Sequence, residues 1–357
     1  MNPYINFAFR PEILELRPYF VPPAHGMIKL DAMENPFGLP IEIQELLAHK
    51  LSQLSINRYP DASLSSVKES FRTLMSPPLG ADIVIGNGSD EILQLLLMAA
   101  NRPDAVIMGV EPSFVMYRLI SQYLGLNYIG IPLNQDFTFP YEIFIKTIKE
   151  RQPSLIFLAH PNNPTSNCYS LDEIIHVIEQ APGLVVIDEA YYAFTDFSFL
   201  PQLMKYPNLI IVRTVSKLGM AGLRLGCAFG HPDWIRPLEG LRLPYNINCF
   251  TQAAFEVLVE YNALFIEQTQ HIRKERAILY QALRNTKGIQ AVWPSECNFL
   301  LMRVANAPSV HSELKNQGIL VKLLHGTHPL LEHVIRVSIG SSIENKQFLA
   351  TLNKLVC

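Results

Sequence analysis

Leu184-Val185-Val186-Ile187-Asp188-Glu189-Ala190-Tyr191 decides the fold. Four apolar residues run without a polar break and give way at once to two acids. A run that short and continuous fits a strand buried on both faces, as in a parallel sheet sandwiched between helices. In such sheets, ligands gather where loops leave the C-terminal strand ends. An acid at that point is costly unless it has a partner. Asp188 is therefore a helix-capping or salt-bridged carboxylate, or one aimed at a cationic ligand atom.

The same pattern repeats on both sides. Short apolar runs are expected to form strands at Asp82–Ile85, Ala105–Met108, Tyr128–Ile131, Leu155–Leu158, Leu209–Val212 and Leu225–Phe229, with helical patterns between several of them. A helix is expected over Glu91–Ala100, opened by Ser89 or Asp90 as its capping residue. After Pro244 the pattern changes. A long helical stretch is expected over roughly Thr251–Thr286, then strands near Gln290–Trp293 and Phe299–Val304 and a helix near Ser309–Asn316. Strands near Ile319–Lys322 and Val334–Ser338 and a closing helix complete the chain. That α+β order reads as a smaller domain. The first 40 residues are dense in proline and aromatics, which prevents a long helix and suggests an extended arm packed on something else, such as a second subunit. The expected division is an arm and part of the small domain over 1–44, a large ligand-binding domain over 45–245, and a connecting helix with a small C-terminal domain over 246–357.

Composition narrows the function. The chain has 357 residues, enough for two packed bodies, and a formal net charge of −3, which makes no electrostatic case for nucleic acid or an anionic membrane. A small anionic substrate would need local cations. Five cysteines, scattered and without a C-x-x-C, argue against a disulfide framework or zinc site and for reduced thiols in the cytoplasm. The N-terminus shows no signal-peptide pattern, and no apolar run approaches the roughly 20 residues that span a bilayer. His325 and His328 are three apart, but no carboxylate spacing joins them, so no metal is expected.

Four loops following expected strands hold the unusual polar residues. Gly86-Asn87-Gly88-Ser89-Asp90-Glu91 joins a close-approach turn to a helix N-terminus, which suits phosphate; Glu91 in place of a third glycine speaks against a dinucleotide fingerprint. His160-Pro161-Asn162-Asn163-Pro164-Thr165 is a proline-stiffened loop. Asp188-Glu189-Ala190-Tyr191 is the third. In the fourth, Thr214-Val215-Ser216-Lys217-Leu218-Gly219-Met220-Ala221-Gly222-Leu223-Arg224-Leu225-Gly226, a lysine lies among small and apolar residues. Burial would lower its pKa and free its amine for imine chemistry.

In their order and spacing, Asn-Asn-Pro-Thr, Asp-Glu-Ala-Tyr and Ser-Lys…Gly-Leu-Arg-Leu-Gly resemble the fold-type I pyridoxal-phosphate-dependent aminotransferases. The resemblance spans nearly the whole chain. Within that family, Lys29–Pro36, Asn57-Arg58-Tyr59-Pro60-Asp61 and Leu324–Leu331 look like the histidinol-phosphate aminotransferase subgroup. The resemblance implies an α/β fold: a large domain with a mostly parallel sheet covered by helices, a smaller α+β domain and an N-terminal arm. It implies pyridoxal 5'-phosphate as cofactor, linked covalently to Lys217. Asp188 would face the pyridine nitrogen, Tyr191 and Asn163 the ring 3′-oxygen, and Phe114 the ring face. Ser89, Asp90, Thr214, Ser216 and Arg224 would hold the cofactor phosphate. Arg224 stands seven residues after Lys217 where many relatives have eight. Tyr59 would reach that phosphate from the partner subunit of a homodimer. Tyr19, Asn35, Lys322 and Arg336 would meet the substrates, L-histidinol phosphate/imidazole acetol phosphate and L-glutamate/2-oxoglutarate, in a step of histidine biosynthesis. The alternative is an aromatic amino-acid aminotransferase or a related enzyme acting on a phosphorylated amino acid. A cofactor-binding regulator is disfavoured, since no helix-turn-helix segment or basic block is appended.

Overall fold

The computed structural model describes residues 4–16 and 22–356; Tyr19 lies outside them. Seven strands form the large sheet: β1 (Asp82–Asn87), β2 (Val106–Glu111), β3 (Asn127–Pro132), β4 (Leu155–Ala159), β5 (Leu184–Asp188), β6 (Leu209–Thr214) and β7 (Leu225–Gly230). Their order is β1-β7-β6-β5-β4-β2-β3. Only β7 runs against its neighbours, β1 and β6; the other pairs are parallel.

Strand alternation explains why the runs read as continuously apolar. In β5, Val185 and Ile187 enter one apolar cluster while Leu184 and Val186 enter another on the opposite face. Helices cover both faces, so every residue of β4, β5, β6 and β7 is buried.

A second sheet, β8 (Ile289–Trp293), β9 (Phe299–Val304), β10 (Lys322–Leu323) and β11 (Val334–Ser338), is antiparallel in the order β10-β11-β9-β8. Its apolar cluster takes in Leu30, Met33, Tyr191 and Phe194 besides Phe299, Ile335 and Phe348. The loop leaving β5 thus packs its aromatics into the small body, and the two bodies meet over the Asp188 end of the large sheet.

The structure differs from the expected elements in four places. The helix after β1 spans Ser89–Ala99 and starts at Gly88 with no side-chain cap, so neither Ser89 nor Asp90 caps it. The long helix is two helices, Cys249–Glu260 and Asn262–Arg284, parted at Tyr261. The first packs on helix Ser65–Met75, with the Phe71 and Phe255 rings 4.5 Å apart. The expected strand at 319–322 divides. Ile319–Leu320 pairs in parallel with Ile28–Lys29, tying the arm to the small body, and β10 turns to pair with β11. The arm also carries two four-residue helices, Ile5–Ala8 and Pro11–Leu14, the second with proline at its first turn.

Candidate active site

Asp188 ends β5 and is 4% exposed. Tyr117 Oη donates to its Oδ2 at 2.7 Å and Ala190 N to its Oδ1 at 3.0 Å. Among the described residues no cationic side chain pairs with it. Burial pushes its carboxyl up to about 6, against the pull of those two hydrogen bonds. A buried carboxylate left without a counter-charge calls for a cation from outside the chain.

Lys217 lies on a tight turn after β6. The π-helical segment Ser216–Met220 runs into a 3₁₀ turn at Ala221–Leu223. Gly219, at φ 128°, takes a conformation that side chains rarely adopt, and Arg224 follows in the left-handed region at φ 51°. This winding returns Arg224 to the cavity despite its short spacing from Lys217. Lys217 Nζ donates to Ala32 O at 3.3 Å. Burial, aided by the charges of Arg336 and Arg224, lowers its amine to about 8.

Beside them is an anion cradle. Helix Ser89–Ala99 starts at Gly88 with no side-chain cap, so its first amides are open. β7 approaches this end closely because it carries glycine there; a Cβ on Gly226 would stand 2.5 Å from Ser89 N. Arg224 Nη2 reaches Asp90 Oδ2 at 3.3 Å. Thr214 Oγ1 donates to Leu225 O at 2.9 Å and accepts from Ser216 N at 3.2 Å, which fixes both hydroxyl-bearing residues. Glu91, in the third-glycine position, closes the loop instead: it accepts from Asn87 N at 2.5 Å and Asn246 Nδ2 at 2.8 Å.

Ser89, Asp90, Phe114, Asn163, Asp188, Tyr191, Thr214, Ser216, Lys217 and Arg224 together line one cavity of about 110 Å³. A second, of about 270 Å³, shares Met33, Phe114 and Asn163 with it and adds Lys322 and Arg336. A hydrogen-bonded chain links the two. Arg336 Nη1 donates to Asn163 Oδ1 at 2.6 Å, and Asn163 Nδ2 to Tyr191 Oη at 3.1 Å. Arg336 Nη2 also holds Asp31 O at 3.0 Å.

Two of the expected site residues are placed elsewhere. Tyr59 is 80% exposed and stacks on Tyr245 at 4.5 Å, lining neither cavity of its own chain. Asn35 lines neither cavity as well. Its amide donates to Leu218 O and Gln268 Oε1, both at 2.8 Å, and its Oδ1 accepts from Phe37 N at 2.9 Å. Those bonds brace the turn behind Lys217. Tyr117 was not foreseen, although it stands three residues beyond Phe114; a buried tyrosine in a helix gives no sequence signal. Nor was the approach of Glu332 to His325, at 2.7 Å, with His333 stacked on His325 at 4.7 Å. These three residues have the character of metal ligands but stand outside both cavities.

An open anion cradle, a buried carboxylate lacking a cation and a lysine depressed toward its neutral form fit pyridoxal phosphate at three points: phosphate, ring nitrogen and aldehyde. Fold and site define a pyridoxal-phosphate-dependent aminotransferase, and residues 25–352 match the model of the class I and II aminotransferases. The chain is 45% identical to the histidinol-phosphate aminotransferase of Chromobacterium violaceum over 97% of each sequence, and 44% identical to histidinol-phosphate aminotransferase 2 of Nitrosococcus oceani over 96% of each. The Sinorhizobium meliloti histidinol-phosphate aminotransferase, solved in complex with pyridoxal-5'-phosphate, superposes with a TM-score of 0.87 at 21% identity, covering 98% of this chain and 97% of that one. The fold alone reaches further, to L-threonine-O-3-phosphate decarboxylase from Porphyromonas gingivalis, with a TM-score of 0.79 at 19% identity over 92% and 99% of the two chains. The chain belongs to the histidinol-phosphate aminotransferase family.

Proposed function

We propose that this enzyme exchanges an amino group between two pairs, L-histidinol phosphate/imidazole acetol phosphate and L-glutamate/2-oxoglutarate, in histidine biosynthesis. The observation that carries this reading is the pairing of the cavities. The cavity that holds Lys217 and Asp188 shares three lining residues with a larger chamber bearing Lys322 and Arg336. Cations there suit a substrate with a phosphate or a distal carboxylate. They give an uncharged aromatic side chain no comparable partner.

When bound, pyridoxal phosphate supplies an aldehyde that takes up an amino group and a ring that draws electrons from the carbon bearing it. The chain's residues do the rest. Lys217 Nζ, its amine lowered to about 8 by burial, is the group that would hold the cofactor's aldehyde, and it would carry the proton from the substrate α-carbon. Asp188 would keep the proton on the ring nitrogen through a charge-assisted hydrogen bond. Tyr191 and Asn163 would serve the ring oxygen, and Phe114 the ring face. The Ser89 and Asp90 amides, with Thr214, Ser216 and Arg224, would hold the cofactor phosphate. Arg336 takes the carboxylate of glutamate or the substrate phosphate in its fork, with Lys322 as a second cation. Binding there pulls on Asn163, and so reaches Tyr191. In this reading residues 1–44 form the arm and part of the small domain, 45–245 the large cofactor-binding domain, and 246–357 the connecting helix and the small C-terminal domain.

We further propose a homodimer with a shared active site, in which Tyr59 serves the partner's phosphate cradle. Tyr59 stacks on Tyr245, and their chain neighbours Ile56, Leu243 and Phe250 are exposed too, an apolar composition suited to burial against a second copy. The cytoplasm is the matching compartment: Cys168, Cys227, Cys249 and Cys297 are free thiols, and among the described residues no helix is long and apolar enough to cross a membrane.

Single-turnover spectroscopy tests this directly. Holoenzyme is mixed with L-histidinol phosphate, L-glutamate, L-phenylalanine or L-tyrosine and the cofactor absorption band is followed. Fast conversion by the first two is expected, and none in Lys217→Ala. A strong preference for an aromatic amino acid would sink the substrate assignment while sparing Lys217.

A further inference from the structure

The larger cavity carries a charge that an anion does not need. Against Arg118, Lys322 and Arg336, Glu111 is the one carboxylate among its lining residues. It ends β2, three residues before Phe114, and its side chain is 24% exposed and 3.5 Å from Arg118.

The sheet keeps room for it. In the parallel register, Ile107 pairs with Tyr128, Gly109 with Gly130 and Glu111 with Pro132, which puts Glu111, Gly109, Tyr128 and Gly130 on one face. A Cβ on Gly130 would lie 2.4 Å from Glu111 Cδ, and one on Gly109 would lie 2.8 Å from Tyr128 Oη. Two glycines in register thus form a shelf on which the carboxylate and the phenol lie flat beside the cavity. His328 also lines this cavity. Its Nδ1 accepts from Leu330 N at 3.2 Å, which leaves Nε2 to carry the ring proton in the neutral form.

We propose that Glu111, seated on the Gly130 shelf, receives the N–H of the substrate's imidazole, while Arg336 and Lys322 hold the phosphate. This rests on the reading of the chain as an enzyme for histidinol phosphate. A carboxylate is acceptor-only, complements a heterocycle N–H whether the ring is neutral or protonated, and repels a phosphate that would enter the wrong way round. Arg118, 3.5 Å away, gives that carboxylate a partner between substrates. Glutamate offers no such N–H, so Glu111 serves one half-reaction and not the other.

The half-reactions of holoenzyme, measured separately, test this. Glu111→Gln is expected to lower kcat/KM for L-histidinol phosphate by roughly 10- to 100-fold, mostly through KM, the loss of one charge-assisted hydrogen bond. The glutamate half-reaction should change far less and serves as the control for folding. Phenylalaninol phosphate, which keeps the phosphate but has no ring N–H, should be used equally by wild type and Glu111→Gln. Gly130→Ala, which crowds the shelf without touching the charge, should move the same constant in the same direction. Equal losses in both half-reactions, or no loss in either, would overturn the inference while leaving the function intact. Wild type inert to histidinol phosphate would overturn both.

Discussion

Asp188 and Glu189 are adjacent acids, 4% and 0% exposed, at the end of one strand. Their surroundings are opposite. Glu189 accepts from Arg213 Nη2 at 2.7 Å and Nε at 2.9 Å, from Ser198 Oγ at 3.0 Å and from Phe199 N at 2.5 Å. Arg213 in turn lies 4.3 Å over the Tyr192 ring. Asp188 has a phenol and an amide and, among the described residues, no cation. Consecutive side chains at a strand end leave by opposite faces. One face was filled from within the chain, and the other opens onto a cavity. A buried carboxylate whose charge is balanced internally holds the fold together. One whose charge is unbalanced marks where a ligand's charge belongs.

Neutralising each acid separates the two roles. Asp188→Asn should cost roughly 10²–10³ in kcat, the scale of losing one preorganised electrostatic partner, with little loss of stability. Steady-state kinetics beside a thermal melt measures both. Glu189→Gln should do the reverse. Stranding Arg213 in the core costs about 3 kcal/mol or more of stability and should leave kcat of the folded fraction close to wild type. If both variants lost activity and stability alike, the contrast would fail.

Acid should sharpen it further in protein freed of cofactor. The Asp188 carboxyl keeps its proton up to about 6 in the fold and gives it up near its ordinary 3.8 when unfolded. Its contribution to stability is therefore full below about pH 4 and is lost as pH rises through 6, a swing of about 3 kcal/mol. Denaturant unfolding at pH 5 and pH 7 should show this slope in wild type and not in Asp188→Asn. Bound cofactor should remove it, because a protonated ring nitrogen stabilises the ionised acid. Lys217 gives a parallel test. With its amine near 8, the fraction able to attack an aldehyde rises about tenfold between pH 7 and pH 9. The rate of reconstitution with pyridoxal phosphate should follow.

The sequence made the frame of this site legible. Continuous apolar runs gave the parallel sheet, and unusual polar residues after four of them gave Asn163, Asp188, Lys217 and the Ser89 cradle. What it could not give was direction. Asp188 and Glu189 read alike until the pleat assigns their faces. Asn35 sits in a motif that reads as substrate-facing, yet its amide is spent on Leu218 and Gln268. The break at Tyr261 and the turn that returns Arg224 depend on tertiary packing and a left-handed backbone, which local periodicity does not register. Tyr117 and Glu111 touch the site through partners distant in sequence, so no spacing announces them.

Tyr117 offers the smallest and most diagnostic effect. Its ring is fully buried and stacked on Phe157 at 4.9 Å and 2°, with Phe114 edge-on at 5.6 Å. Phenylalanine would keep that packing and remove only the hydroxyl on Asp188. The carboxyl would lose a bond that lowers its pKa and would hold the ring nitrogen's proton less firmly. One such bond is worth about 1 kcal/mol, so Tyr117→Phe should lower kcat about fivefold and leave the melting temperature close to wild type. The loss should be greatest at low pH, where the unsupported acid protonates first. An unchanged kcat at every pH would mean that the ring nitrogen alone sets the charge of Asp188. The phenol would then be a packing partner whose hydroxyl merely satisfies a buried oxygen.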